Sequence, residues 1–284
     1  MWPGSVPVHT RSCRGRGPST SRNGGSSSAD RFLGEVSLAG FDWIEIGPYG
    51  YLPTDPAELS DSLARHGLQV SAGTVFEALH RENSWADVWK QVTEVAALTR
   101  AVGGELTVDQ WDRMTSGIDE LGRRILEQYG LDVQFHPHAD SHVGHQPEIE
   151  RFLDATDSRY VNLCLATGHV AYYRGDCVDL IERFAERIGY VHLKQVDPAI
   201  RAQVEAEDLG FPEAVRRGVM IEPPYGGPHM RPVLDAVAGL GRDIYPIVEQ
   251  DMYPCHPDTP PPIAQRTRTY LAGCGVIELD IAHR

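Results

Sequence analysis

The chain has 284 residues, long enough for one large α/β barrel or two ordinary domains, and 41% of them are hydrophobic, enough to bury a core. With 26 Lys and Arg against 40 Asp and Glu, its formal net charge is −14, which argues against a protein that grips nucleic acid. No apolar run approaches the roughly 20 residues of a membrane helix, which excludes an integral membrane protein.

The first 29 residues differ from the rest in composition. They contain four arginines and no acid, with much serine, glycine and proline and few apolar side chains. We expect 1–29 to be a disordered or irregular leader and 30–284 to be a single domain, which then carries −14 − 4 = −18. Five scattered cysteines without a CxxC pair indicate free thiols in a reducing compartment, so the expected location is cytoplasmic.

From residue 30 onward, the sequence predicts alternating helices and strands, with glycines at several helix ends. The expected strands are 41–46, 68–75, 131–136, 160–165, 189–193 and 244–249. The expected helices are 31–39, 55–66, 84–102, 107–129, 146–156, 176–187, 230–239 and 262–272. Strands that alternate with helices in this way form parallel βαβ units.

Six strands are fewer than the eight of a (β/α)8 barrel. No GxGxxG or GxxxxGK[ST] motif follows a strand, which removes the usual nucleotide-binding versions of an open sheet. We predict an α/β fold of the TIM (β/α)8-barrel type with an incomplete or irregular first and fourth strand. Either residues 6–10 and 105–108 serve as makeshift strands, or the chain is a damaged or wrongly delimited copy of a barrel.

Histidines and acids gather where the expected strands end, which is where a barrel carries its chemistry. These residues are Glu45, His136, His138, Asp140, His142, His169, His192, Lys194, Glu249 and Asp251. Imidazole and carboxylate groups that converge from separate strands are typical ligands of a divalent transition metal. The set therefore predicts a metal pocket, although for any one histidine an ordinary loop position is the simpler interpretation.

Several short motifs are similar to those of a known family. In order, FDWIEIGPYGYLP, FHPHADSH, TGH, GYVHLKQVDP and VEQDMYP resemble stretches of the xylose-isomerase-like TIM-barrel superfamily of sugar isomerases and epimerases. Within it, the chain most resembles the inosose dehydratase branch of inositol catabolism, which the stretches FPEAVRRG at 211–218 and QRTRTY at 265–270 also support. The resemblance covers about residues 30 to 273.

The resemblance implies one divalent metal, usually Mn or Co, at the strand ends. The metal ligands it implies are His136, His192 and Glu249. The catalytic residues it implies are Glu45, His169, Lys194 and Glu249. The substrate-binding residues it implies are His138, Lys194 and Asp251. For Lys194, a salt-bridging or phosphate-facing role is an equally good interpretation.

The chemistry of such an enzyme follows from these groups. A metal that binds a carbonyl and an adjacent hydroxyl acidifies a neighbouring C–H bond. Glu249 or Glu45 is then the base, and His169 or Lys194 is the acid that returns the proton or helps hydroxide leave. We therefore predict a metal-dependent sugar or polyol isomerase, epimerase or dehydratase, a lyase or isomerase with a small sugar or keto-polyol substrate.

Two residues depart from the superfamily's pattern. Ala166 stands where an Asp metal ligand is expected, and Gln195 replaces the Asp of an HxKD stretch. Since a lost ligand weakens metal binding, the alternative is a catalytically impaired barrel homologue that binds a sugar-like ligand without metal. The −18 charge opposes a nuclease of the endonuclease IV type. We expect no nucleic-acid or membrane partner, and the sequence leaves a homo-oligomer open.

Overall fold

The computed structural model describes residues 28–75, 90–92, 94–95, 98, 105–108, 114–141, 143–252 and 254–275. Its strands are β1 (Trp43–Pro48), β2 (Gln69–Val75), β3 (Glu105–Val108), β4 (Val133–Phe135), β5 (Val161–Ala166), β6 (Ile188–Leu193), β7 (Gln195–Val196), β8 (Met220–Ile221) and β9 (Tyr245–Val248). Its α-helices are Ser28–Leu38, Pro56–His66, Met114–Tyr129, Gln146–Ala155, Thr167–Tyr172, Cys177–Arg183, Pro198–Ala206, Phe211–Arg216, Met230–Gly239 and Pro260–Gly273, with a 3-10 turn at Ala185–Arg187. Elements therefore alternate as the sequence predicts.

Seven strands form one parallel sheet in the order β1-β2-β3-β4-β5-β6-β9. Strands that follow one another in the chain are neighbours in the sheet, as in a (β/α)8 barrel. The sheet curls, since the rings of Trp43 in β1 and Tyr245 in β9 have their centroids 5.2 Å apart. Among the described residues no strand pairs with both β1 and β9, and the expected first strand at 6–10 lies outside them.

The fourth strand of the predicted barrel is present as a short strand at 105–108, which is one of the two alternatives that the sequence left open. Residues 105–108 form β3, which pairs in parallel with β2 through Ala72 and Glu105 and with β4 through Leu106 and Val133. The helix expected from Thr107 is wrong, because Thr107 lies in this strand and the helix begins at Met114. Sheet pairing on both sides overrides the local capping pattern. Of the helix expected at 84–102, residues 90–92, 94–95 and 98 are described and helical.

Side chains alternate between the two faces of each strand. One set packs against the helices, and the other faces the inside of the curled sheet. The large apolar cluster lies between sheet and helices and includes Leu163 of β5 and Val191 of β6. A small cluster with the opposite orientation contains Ala72, Cys164, Tyr190 and Ile247, together with Tyr245. Since His192 and Lys194 follow Tyr190 at a spacing of two, the alternation directs them to that inner side.

The chain makes an excursion between β6 and the helix Met230–Gly239 that sequence patterns did not predict in detail. The antiparallel pair β7–β8 and the helices Pro198–Ala206 and Phe211–Arg216 belong to it. Asp140, with φ of 58°, accepts a hydrogen bond from the Phe211 backbone N–H at 2.6 Å. This bond ties the excursion to the loop after β4.

Two further findings concern the described residues. None of their helices is both long and apolar enough to cross a membrane. Among the described cysteines, Cys164, Cys177 and Cys274 are free thiols, as the scattered spacing indicates.

Candidate functional site

Buried polar side chains meet at the carboxyl end of the sheet. Glu45 lies in β1, His136 directly follows β4, His192 lies in β6 and Glu249 directly follows β9. All four side chains are buried. Polar groups at this depth are stable only when they are paired, so their contacts define the site.

His192 is at the centre of this cluster. Its Nε2 lies 2.8 Å from Oε1 of Glu45, and its Nδ1 lies 3.0 Å from Oε2 of Glu249 and 3.2 Å from Nε2 of His136. Burial opposes a charge on the His192 ring, but the surrounding Cys164, Glu45 and Glu249 outweigh it and raise its pKa well above the ordinary value. The ring is therefore held from both nitrogens.

Lys194 is the second centre, with a side chain that is 0% exposed. Its Nζ lies 2.5 Å from Oε2 of Glu249, 3.1 Å from Oδ2 of Asp251 and 2.9 Å from Nε2 of His169. Burial favours loss of its proton, yet Asp251 and Glu249 raise its pKa above the ordinary value. Lys194 therefore forms the salt bridges that one interpretation of the sequence expected. Its position in the cluster is also compatible with the expected role of a proton donor.

The segment after β5 is built around Lys194. The Thr167 hydroxyl donates to the Lys194 carbonyl at 2.7 Å and accepts from its N–H at 3.0 Å. A Cβ on Gly168 would lie 2.1 Å from Cγ of Lys194, so only glycine leaves room for the lysine stem. His169 then receives the ammonium group, so the TGH motif anchors, accommodates and binds this lysine.

Two histidines and a phenylalanine form the apolar side of the site. The His138 and His169 ring centroids are 3.8 Å apart, and the Phe211 ring lies 5.3 Å from each. Burial, followed by the neighbouring His138 and Lys194, lowers the pKa of His169 well below the ordinary value. His169 is therefore uncharged, with its Nε2 2.9 Å from Lys194 Nζ and its Nδ1 3.4 Å from the backbone N of Ala139.

The charges of the cluster suit a divalent cation. Three carboxylates, those of Glu45, Glu249 and Asp251, face one ammonium group, that of Lys194, which leaves −2 once metal binding displaces the proton that the raised pKa of His192 retains. His136 Nε2, His192 Nδ1 and Glu249 Oε2 lie 3.2, 3.0 and 4.0 Å apart. Metal bonds of about 2.0–2.2 Å at tetrahedral or octahedral angles place ligand atoms about 3–3.5 Å apart. The charge and two of the three separations therefore fit a metal, and the His136–Glu249 pair at 4.0 Å is slightly too wide.

The two departures from the superfamily's pattern have different consequences here. Ala166 ends β5 directly opposite His192 and is buried, so the strand supplies no donor atom at that level. Gln195 has a structural use: its Nε2 donates to the Pro228 carbonyl at 2.7 Å, and its Oε1 accepts from the Gly226 N–H at 3.0 Å. Gln195, which stands where the superfamily has Asp, therefore holds the loop before the helix Met230–Gly239 in place.

All the catalytic, substrate-binding and metal-binding residues expected from the sequence lie within this cluster. Asp140 does not join it, because its carboxylate binds the Phe211 N–H. His142 lies outside the described residues. Sequence reasoning missed Gly168, Phe211 and Cys164.

The Cys164 thiol lies beside His192, and burial raises its pKa to about 11. One signal for it is present in the sequence. Cys164 precedes Ala166 by two residues, which places both on one face of the strand.

A parallel α/β barrel with titratable side chains at the carboxyl ends of its strands has the architecture of a TIM-barrel enzyme. The profile of the family described as "Xylose isomerase-like TIM barrel" matches residues 33–221. The chain belongs to this family, and the predicted fold is confirmed.

Relatives and solved structures extend the likeness. The chain is 26% identical to an inosose dehydratase of Geobacillus thermodenitrificans (strain NG80-2) over 280 residues, 89% of this chain and 92% of that protein. It resembles in fold the probable 3-DHS dehydratase AsbF of Bacillus anthracis, with a TM-score of 0.66, 15% identity and coverage of 87% and 94%. It also resembles the IolI protein with a bound zinc atom, with a TM-score of 0.64, 15% identity and coverage of 87% and 91%. The family and its named relatives identify the chain as an enzyme.

Proposed function

We propose that the chain is a metal-dependent lyase that removes water from a small keto-polyol of the inosose type, starting with proton abstraction next to the carbonyl. One observation carries the proposal: Glu249 Oε2 lies within 3.0 Å of His192 Nδ1 and 2.5 Å of Lys194 Nζ. This oxygen joins a metal-binding imidazole to a buried ammonium acid. The named relatives support a sugar-modifying enzyme in general, and the dehydratase among them supports the finer assignment.

His136, His192 and Glu249 are the residues that would hold the metal. When bound, a divalent cation supplies Lewis-acid polarisation of the substrate carbonyl. Glu45 bonds the far nitrogen of His192 at 2.8 Å and so fixes the orientation of its ring. Carboxylate support of a metal-binding histidine increases the basicity of the ligand.

The proton transfers fall to the remaining groups. A carboxylate, Glu45 or Glu249, takes the proton from the carbon beside the carbonyl while a C=C bond forms to the next carbon. The hydroxyl on that next carbon leaves as water, with a proton that comes from Lys194 directly or through His169. Since the pKa of Lys194 is raised and that of His169 is lowered, the proton to be given resides on Lys194.

Asp251 and His138 are the groups that a substrate would meet first. Both are only partly buried, in contrast to Lys194 and His169. Asp251 Oδ2 accepts from the Lys194 ammonium at 3.1 Å, so a substrate hydroxyl can compete for the same hydrogen. The surroundings favour a ligand with several hydroxyls over an apolar one.

The test is a metal titration joined to a substrate screen. The apo chain is titrated with Mn, Co and Zn by calorimetry, and inososes and ketohexoses are then assayed for water loss and isomerisation. We expect one cation per chain, its loss in Glu249→Ala, and dehydration of an inosose only with metal. Activity in metal-free protein, or metal binding without turnover of any inosose or ketohexose, would falsify the proposal.

A second candidate rests on Ala166. Because β5 ends in a buried methyl group opposite His192, the pocket can also be that of an impaired homologue that binds a sugar-like ligand without metal. In that case the titration shows no binding at millimolar metal, and calorimetry still detects an inosose.

The free thiols agree with our proposal of a cytoplasmic enzyme.

A further inference from the structure

Cys164 lies directly beneath the position of the missing carboxylate. It is 0% exposed, and it precedes Ala166 by two residues in β5, so both side chains face the barrel interior. In the register of β5 and β6, Ala166 pairs with His192 and Cys164 pairs with Tyr190. The thiol is thus the next inward-facing group down the same strand.

The thiol is also close to the two histidines of the site. His136, Cys164 and His192 each offer a ligand atom, and the three atoms lie within 4.8 Å of one another. All three residues are buried, which keeps water from competing for a cation. A buried cysteine that only fills space in the core has apolar neighbours and needs no histidines beside it. A metal site, in contrast, requires several donors from separate strands. Here they come from β5, from β6 and from the residue that follows β4.

We propose that the thiolate of Cys164 is a metal ligand in this chain, together with His136 and His192, and that it replaces the carboxylate absent at Ala166. The inference rests on the proposed metal site and specifies its donors. On binding, the S–H bond breaks, a sulfur–metal bond forms, and the proton leaves to solvent. Two imidazoles and one thiolate select Zn or Co over the harder Mn or Mg. The site therefore prefers Zn or Co.

The decisive experiment uses the unaltered chain with zinc. The apo protein is loaded with one equivalent of Zn, and X-ray absorption at the zinc edge identifies the neighbouring atoms. We expect one sulfur at about 2.3 Å beside nitrogen or oxygen at about 2.0–2.2 Å. Zinc bound by nitrogen and oxygen alone overturns this inference and leaves the proposed function standing. No bound zinc overturns both.

Cobalt gives an independent measurement with variants. We expect the Co-loaded chain to show a sulfur-to-cobalt charge-transfer band in the near ultraviolet. This band disappears in Cys164→Ser, and it stays unchanged in Cys255→Ser, the matched control at an exposed cysteine. A band that survives Cys164→Ser, or its absence from the unaltered Co-loaded chain, contradicts the inference. If Cys164→Ser does not fold, the zinc measurement decides alone.

Discussion

Strands β5 and β6 lie side by side in the sheet, yet they contribute to the site in opposite ways. Ala166 and His192 face each other in the register, one with a methyl group and the other with an imidazole. The chain after β6 places a charged lysine in the interior, whereas the chain after β5 supplies Thr167 and Gly168, which anchor and accommodate it. The β6 side thus presents His192 and Lys194, and Thr167 and Gly168 at the end of β5 support the lysine.

The largest effect on stability and turnover is expected from a substitution of Lys194, which follows β6. Lys194→Met keeps the length of the side chain but leaves Glu249 and Asp251 without their buried counterion. Removing one partner of a buried ion pair costs about 3–5 kcal/mol, and we expect the free energy of unfolding to fall by that amount and dehydration to be lost. Urea unfolding and a turnover assay measure the two.

Lys90 provides the matched control, because it is the other lysine of the chain and it is exposed. Lys90→Met should leave both stability and turnover unchanged. Equal effects at the two positions would show that Lys194 has no special part in the cluster.

The difference between β5 and β6 also explains how far sequence reasoning reaches. His136, His192 and Glu249 belong to a set of histidines and acids at the ends of clear strands, which is a local pattern, and the resemblance selects these three from it as metal ligands. The TGH and HLK motifs resemble a family, and the structure brings His169 and Lys194 within 2.9 Å. These features are each contained in a few consecutive residues.

Other features depend on which residues become neighbours across strands, and the local sequence does not encode this. Gly168 matters because Lys194 of the next strand passes over it, and Cys164 matters because of the histidines beside it. Strand β3 has four residues and became a strand only because β2 and β4 lie on either side of it. Its capping pattern favoured a helix, and tertiary pairing prevailed.

The segment after β5, which accommodates Lys194, is tested by Gly168→Ala. The added Cβ would lie 2.1 Å from Cγ of Lys194, so the lysine stem or the strand end must move. Overpacking of this kind costs about 1–3 kcal/mol, and turnover should fall with stability because the ammonium is displaced. Gly239→Ala is the control, since a Cβ added at that position would have nothing within 4 Å and alanine suits a helix. An unaffected Gly168→Ala enzyme would mean that the close approach is unimportant.

Ala166→Asp makes β5 resemble β6 by returning a carboxylate to the strand end opposite His192. We expect metal affinity to rise roughly tenfold or more, as added ligands and their supports typically do. We also expect the metal-free protein to be less stable, because the new carboxylate joins a cluster that is already negative. Calorimetric titration and urea unfolding with and without metal separate the two effects. Ala166→Ser, which has a small polar group without charge, should change neither by as much.

The smallest effect is expected at Gln195, whose side chain holds a loop and not the reactive groups. Gln195→Met preserves side-chain length but removes the hydrogen bonds to the Pro228 carbonyl and the Gly226 N–H. Because both partners are only partly buried, water can replace the lost bonds, and the free energy of unfolding should fall by about 1 kcal/mol. Gln203→Met, at an exposed helical position, should have no measurable effect. If Gln195→Met instead abolished metal binding while stability stayed high, the position would belong to the site itself, and the segment after β6 would contribute to the reaction beyond Lys194.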